Sequence, residues 1–139
     1  MSTKTESENI ALVRRMVTEV QQNGNFDLID ESIHPDWVDH TTHIPGASVT
    51  TREAVRTSIR GLHKALSDIK VDIMHCVCTG DVVATNKVIR GRQVGELFGQ
   101  PASNQVVEFR VMDFMRVHDG KLIEHWACIG QISQVSHGD

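Results

Sequence analysis

Residues 109–126 read FRVMDFMRVHDGKLIEHW and are the most informative stretch of this chain. Apolar residues alternate with polar or charged ones on both sides of Asp119-Gly120. Two alternating runs joined by Asp-Gly are typical of a β-hairpin, because these residues tolerate the left-handed backbone of a tight turn. The stretch therefore predicts two antiparallel strands, at residues 105–118 and 121–131.

Two more strands are predicted ahead of this hairpin, at residues 69–78 and 82–90, with Gly80-Asp81 as the turn between them. A glycine-punctuated stretch follows. Its glycines come after a strand but do not open a helix, so they indicate a sharp bend in the sheet and not a phosphate-binding loop. These residues are Gly91, Gly95 and Gly99.

The first half of the chain carries helical patterns. Apolar residues recur every three to four positions from Ile10 to Val20, and Asn23-Gly24 supplies a C-cap. A short second helix is predicted around Phe26, before His34-Pro35 excludes helical backbone. A strand at residues 37–42 and a third helix follow, the helix with capping-box spacing at Thr50 and Glu53 and an apolar stripe at Val55, Ile59, Leu62 and Leu66.

This order of elements predicts an α+β domain in which three N-terminal helices pack against one face of a curved sheet. The 139 residues fit one domain, with flexible ends near residues 1–6 and 133–139. The net charge is −4 and the basic residues do not form a stripe, so we expect no nucleic acid as a partner. No apolar run reaches about 18 residues, so we expect no membrane as a partner either. The beginning of the chain does not resemble a signal peptide, and the three cysteines lack C-x-x-C spacing, which favours a cytoplasmic protein without disulfides.

Alternation in the last hairpin places Asp113 in an apolar row with Val107, Phe109, Val111 and Met115. The returning strand groups His125 with Ile123, Ala127, Ile129 and Gln131. A carboxyl in apolar surroundings is costly to ionise, so Asp113 should be either protonated or bonded to a partner such as His125. Such a pair can serve an enzyme, and it can equally satisfy a structural need.

His40 and Asp39 are adjacent on the early strand, and alternation does not decide which of them faces inward. The spacing His40-x-x-His43 suggests a metal site at first sight. On a strand, however, it sends the two imidazoles to opposite faces, and no third ligand is near in the sequence. We therefore expect no metal.

Three segments together resemble the SnoaL-like polyketide cyclase family, within the superfamily of nuclear transport factor 2 and ketosteroid isomerase. They are LVRRMVTEVQQNGNFDLIDESIHPDWVDH at 12–40, GELFGQPASNQ at 95–105, and the hairpin at 109–126. The resemblance implies a cone-shaped α+β barrel whose long sheet curls around the helices and leaves a deep apolar pocket. It also implies a homodimer or homotetramer formed through the outer sheet face, where Met112, Phe114 and Trp126 are expected.

The resemblance implies enolate chemistry without a metal or organic cofactor. The family's acid/base aspartate follows the tryptophan of the segment that reads EHW here, but this chain has Ala127 at that position. In the comparison with ketosteroid isomerase, Asp113 aligns with the aspartic acid of the oxyanion hole. His40 takes the position of the catalytic base, with Asp39 as the alternative.

The resulting hypothesis is that His40 removes a proton beside a carbonyl while Asp113, supported by His125, binds the enolate oxygen. The substrate would be a small apolar, polyketide-like carbonyl compound. Its pocket would be lined by Trp37, Asp39, Phe109, Val111, Met115 and Ala127. One alternative is a domain that binds a hydrophobic ligand without chemistry. Another is a hydroxylase or epoxide hydrolase; the hydrolase needs an inward arginine, and alternation puts Arg110 on the outer face.

Overall fold

The computed structural model describes residues 4–41 and 52–135. Three helical regions come first, as predicted. Helix α1 spans Lys4–Arg15 and continues as a π-helix over Met16–Gln22; a 3-10 turn at Phe26–Leu28 leads into α2, Ile29–Ser32; and α3 spans Arg52–Ala65. The predicted cap at Thr50, the Pro45-Gly46 turn and His43 lie outside the described residues.

The described residues form six strands in one mixed sheet. They are β1 Ile33–Asp39, β2 Leu66–Thr79, β3 Val82–Gln93, β4 Val106–His118, β5 Lys121–Ile129 and β6 Ser133–Gln134. The strand order is β1-β5-β4-β3-β2, with β1 parallel to β5 and the other pairs antiparallel. Among the described residues β1 and β2 do not pair, so the sheet is curved but does not close into a barrel.

Several ends of the predicted elements differ from the structure. Leu66, expected on the third helix, is the first residue of β2, so this strand begins three residues earlier than predicted. Strand β1 begins at Ile33, four residues earlier than expected, and runs through Pro35 because an edge strand tolerates a missing amide donor. Strand β6 lies in a segment expected to be flexible; it pairs with β4 and is extended by the bond from Val135 N to Val106 O.

Bulges bend the long strands and shift side-chain alternation. In the β4–β5 pair the register slips next to Val117, which pairs with Leu122 while Arg116 pairs with Glu124. Leu122 is therefore buried, and Ile123, expected to face inward, borders an outer recess instead. Gly91, expected to let the sheet bend, lies where two strands approach closely, because a Cβ there would be 2.9 Å from Ser67 O.

The core consists of two apolar clusters on the inner face of the sheet. The first joins the N-terminal helices to Trp37, Met115 and Leu122, and the second joins the end of α3 to Phe109 and Val111. Between them along β4 lies Asp113, which is buried. The boundary between the clusters is thus where polar side chains enter the core. In the described part of the chain, no helix is long and apolar enough to span a membrane.

Candidate functional site

Strand register brings the polar side chains of the inner face together. Asp113 on β4 lies opposite Thr85 on β3 and Ala127 on β5. One step along the strands, His125 lies opposite Met115 on β4 and Asp39 on β1. Because side chains two residues apart on neighbouring strands remain in reach, these positions converge diagonally on Asp113.

Asp113 is an ionised, fully bonded carboxylate. Its Oδ2 accepts hydrogen bonds from His125 Nε2 at 3.0 Å and Lys87 Nζ at 3.2 Å, and Thr85 Oγ1 donates to Oδ1. Burial by itself raises the pKa of Asp113, but the Lys87 charge and the bonds from His125 and Thr85 lower it to about 2. Of the two expected states, protonated or paired, the structure has the paired one.

His125 is held between two carboxylates. Its Nε2 contacts Asp113, its Nδ1 lies 3.1 Å from Asp39 Oδ1, and its ring stacks on Trp37 at a centroid distance of 5.6 Å. Burial lowers the pKa of His125, but the bonds to Asp113 and Asp39 outweigh it and raise the pKa above 6.5. The environment therefore favours the imidazolium form near neutral pH.

The Nδ1 atom of His125 is buried, and within the described ranges it has no hydrogen bond of good geometry despite the short distance to Asp39. Asp39 is oriented separately, because its Oδ1 accepts a bond of 2.9 Å from Thr41 N. Burial raises the pKa of Asp39, and contacts with His125 and Thr41 lower it more, so this residue is a carboxylate as well. An N–H donor and a carboxylate thus lie side by side.

Lys87 is the site residue that the sequence analysis missed. Its side chain is 3% exposed and contacts Asp113 and, at 3.3 Å, Gln21 Oε1 on the π-helix. The signal for it was present, because alternation along β3 places Lys87 on the inner face with Val83 and Ile89. A lysine on a buried row needs a counterion, and Asp113 was the acid available on the next strand.

The expected inward position of His40 is wrong. Its Nε2 lies 2.9 Å from Glu124 Oε2, and its ring stacks on Trp126 at 4.9 Å, on the face of the sheet opposite His125. Strand geometry gives the reason: Asp39 pairs with His125 and faces inward, so the following residue faces outward. The open choice between the two residues is therefore decided in favour of Asp39.

The other expected pocket residues lie on the inner face. Trp37, Phe109, Val111 and Met115 are buried, and Ala127 is partly buried against the second cluster. Several inner-face apolar side chains around this cluster also keep part of their surface accessible. They are Leu62, Ile69, Val71, Ile129 and Ile132.

The expected deep pocket is not seen among the described residues. One recess of about 310 Å³ lies on the outer side, between Val38, Ile123 and Glu124, and another of about 250 Å³ lies near Gln93 and Ile132. Neither borders Lys87, Asp113 or His125. The most accessible members of the buried polar group are Asp39 and His125, with side chains 24% and 16% exposed.

Within the described ranges, no three histidine, cysteine, aspartate or glutamate side chains are grouped as a metal site requires. The polar group itself has a cation at its centre, since His125 bridges Asp39 and Asp113. Such an arrangement can donate hydrogen bonds and hold or release a proton.

The model of the SnoaL-like polyketide cyclase family matches residues 11–136. The chain belongs to this family. Aklanonic acid methyl ester cyclase DnrD of Streptomyces peucetius is 30% identical over 125 residues, which cover 86% of this SnoaL-like protein and 82% of the cyclase. The family expected from the hairpin and its two companion segments is confirmed.

Solved structures agree with the fold. IdmH of Streptomyces antibioticus is 28% identical to this SnoaL-like protein, with a TM-score of 0.72 and coverage of 88% of this chain and 90% of that one. An LEH-like epoxide hydrolase of M. tuberculosis, 18% identical, gives a TM-score of 0.70 over 90% of this chain and 84% of its own. At that identity the likeness extends to the fold alone. The predicted α+β architecture, helices first and sheet last, is confirmed.

Proposed function

We propose that this protein catalyses proton transfer and enolate formation on a small, apolar, polyketide-like carbonyl compound, leading to ring closure. The observation that carries the proposal is the inner-face chain Asp39–His125–Asp113–Lys87, in which the ionised Asp39 lies 3.1 Å from Nδ1 of an imidazolium, and this Nδ1 makes no hydrogen bond of good geometry among the described residues. Family membership supports the class of reaction.

In the proposed mechanism Asp39 acts as the base and His125 as the electrophilic donor. The Asp39 carboxylate removes a proton from the carbon beside a carbonyl, and Nδ1–H of His125 donates to the oxygen as it becomes an enolate. The enolate carbon attacks a second carbonyl of the same molecule, and the new alkoxide takes up the proton that Asp39 removed, which restores the Asp39 carboxylate. Asp113 orients His125 from the opposite side and keeps it charged.

The missing acid at position 127 fits this mechanism. Ala127 lies directly opposite Asp113 on the neighbouring strand, so a carboxylate at either position would enter the same part of the inner face. In this chain the carboxylate stands on β4 instead of β5. Ala127, with its small side chain, packs next to the partly accessible apolar residues of the second cluster.

The test uses two histidines on opposite faces of the same sheet. The probe is aklanonic acid methyl ester, the compound after which the relative DnrD is named. It is incubated with the protein in D₂O, and both ring closure and deuterium at the carbon beside the carbonyl are detected. We expect His125→Gln to lower both rates by about 10²-fold or more. The matched variant His40→Gln should stay near wild type, and Asp39→Asn should follow His125→Gln.

Equal rates in wild type and His125→Gln would contradict the proposed roles. Deuterium exchange without ring closure would keep the enolate chemistry and reject this compound as the substrate. The two readouts therefore separate an incorrect mechanism from an incorrect probe.

A non-catalytic, ligand-binding domain is the second candidate. The observation in its favour is the enclosure of Lys87 and Asp113, whose side chains are 3% and 1% exposed. Tight binding of the probe with no exchange in the wild type would select it. The epoxide hydrolase alternative is weakened, because Arg110 is exposed and bonds to Asn86 Oδ1 at 2.6 Å, outside the inner group.

Two copies of the chain are proposed to pair through the outer face of the sheet. A cross-strand row of Val77, Ala84, Phe114 and Trp126 runs over this face, and Phe114 is 54% exposed. Such an apolar row is costly to leave in water. We expect Phe114→Lys to reduce the molar mass measured by light scattering from that of an oligomer to that of one chain; a wild type that is already monomeric would reject the proposal.

A further inference from the structure

Lys87 shares one oxygen atom with His125. Both Nζ of Lys87 and Nε2 of His125 donate to Oδ2 of Asp113, at 3.2 and 3.0 Å. Each donor withdraws electron density from the same acceptor, so each weakens the hydrogen bond that the other makes. The two donors also carry like charges at close range in a buried setting, where screening by water is weak.

The charges around His125 come from three strands. Asp39 on β1 and Asp113 on β4 attract its proton, and Lys87 on β3 opposes them. On β2 the Cys76 thiol interacts electrostatically with Asp113 and Lys87, and because burial raises its pKa, it contributes no charge. Gln21, from the π-helix, is neutral. Two carboxylates around one imidazole stabilise the imidazolium and so oppose the transfer of its proton. The positive charge of Lys87 acts in the opposite direction.

We propose that Lys87 is a positioning residue that weakens the pull of Asp113 on the Nε2 proton of His125, so that the imidazolium is held less tightly and gives its Nδ1 proton more readily to a substrate oxygen. The inference rests on the proposed function for its consequence in catalysis. The effect of Lys87 on the pKa of His125 is a property of the free protein, so it can be measured without substrate.

The π-helix fixes the ammonium group for this role. Gln21 Oε1 accepts from Lys87 Nζ, and the backbone oxygen of Gln21 bonds to His63 Nε2 at 2.8 Å, which ties this segment to α3. His63 is therefore partly buried in a structural contact. π-helical segments often occur at functional sites. Here the segment supplies a neutral acceptor that keeps a flexible lysine on one side of Asp113.

The experiment is an NMR titration of the His125 ring in the substrate-free protein. Removing a like charge should stabilise the imidazolium, so Lys87→Met is expected to move the His125 midpoint to higher pH. Lys87→Arg keeps the charge and should restore the wild-type midpoint. Lys70→Met, the same change at an exposed lysine on β2, serves as the matched control and should leave the midpoint unchanged.

An unchanged or lowered midpoint in Lys87→Met would overturn the proposal. If Lys87→Met does not fold, Lys87→Gln removes the charge while keeping a donor, and the same shift is expected. Failure of both to fold would also overturn it, because Lys87 would then be structural. With an active probe, the rate of Lys87→Met should fall and its pH optimum should move up. If the wild type is inactive, the proposed function fails while the titration still decides the role of Lys87.

Discussion

The two faces of the sheet carry matching chains of charged residues in very different surroundings. The inner chain is Asp39–His125–Asp113–Lys87, and the outer chain is His40–Glu124–Arg116–Asp81. Their members are sequence neighbours, as in Asp39 and His40 or Glu124 and His125. Both chains place acidic side chains next to basic ones, and they differ in how much water reaches them.

Burial decides what each chain can do. The inner Asp113 side chain is 1% exposed, and its pKa is lowered to about 2, whereas the outer Arg116 and Glu124 side chains are 38% and 31% exposed. Exposed pairs contribute little because water and salt screen them, while buried pairs are costly to separate. The inner chain can therefore shift proton affinities, and the outer chain mainly adds polarity around Trp126.

The largest effect on stability is expected when the ion pair between Asp113 and Lys87 in the inner chain is removed. Asp113→Leu leaves the buried Lys87 ammonium without a counterion and should lower the free energy of unfolding by about 3–5 kcal/mol. Adding Lys87→Met removes the orphaned charge, so the double variant should recover most of that loss. Urea unfolding followed by circular dichroism measures both. A double variant no more stable than Asp113→Leu would contradict the pairing.

Changing the pH is expected to have an intermediate effect on the free energy of unfolding. The pKa of Asp113 falls from 3.8 to about 2 on folding, so its contribution to stability is full above pH 3.8 and is lost as the pH falls through 2. The pKa of His125 is raised, so its contribution is full below pH 6.5 and is lost as the pH rises through the folded-state pKa. The urea concentration at the midpoint of unfolding should therefore decrease both at acidic pH and at alkaline pH.

The control for this pH dependence is the Asp113→Leu, Lys87→Met double variant. It lacks the Asp113 carboxylate, so its acid-side loss of stability should be shallower than that of the wild type. The remainder comes from carboxyls such as Asp39, Asp30 and Glu124, whose pKa values are also lowered. If both proteins lose the same stability as the pH is lowered, Asp113 is not a buried anion.

The smallest effect is expected on the outer face. Glu124→Gln removes the central carboxylate of the outer chain and should change the free energy of unfolding by less than about 1 kcal/mol. Raising the salt concentration should shrink this difference further, because exposed pairs are screened. A loss as large as that of Asp113→Leu would mean that the outer chain is shielded from water, for instance by a second copy of the chain.

Periodicity and turn chemistry were enough to predict much of this protein. The Asp119-Gly120 hairpin, the inward row containing Asp113 and the three helical regions follow from local rules, because side-chain direction repeats every two residues in a strand. The same rule placed Lys87 on the inner face, although no motif drew attention to it.

Tertiary structure decided the rest. Whether Asp39 or His40 faces inward depends on the parallel register of β1 against β5, two strands far apart in the sequence, and a shift of one residue exchanges the faces. The bulge at Leu122 and Ile123 likewise interrupts the alternation of side chains that the sequence predicted for β5. The sequence by itself determined which residues can be buried. Strand pairing determined which of them meet, because long-range register is set by packing and not by neighbours in the chain.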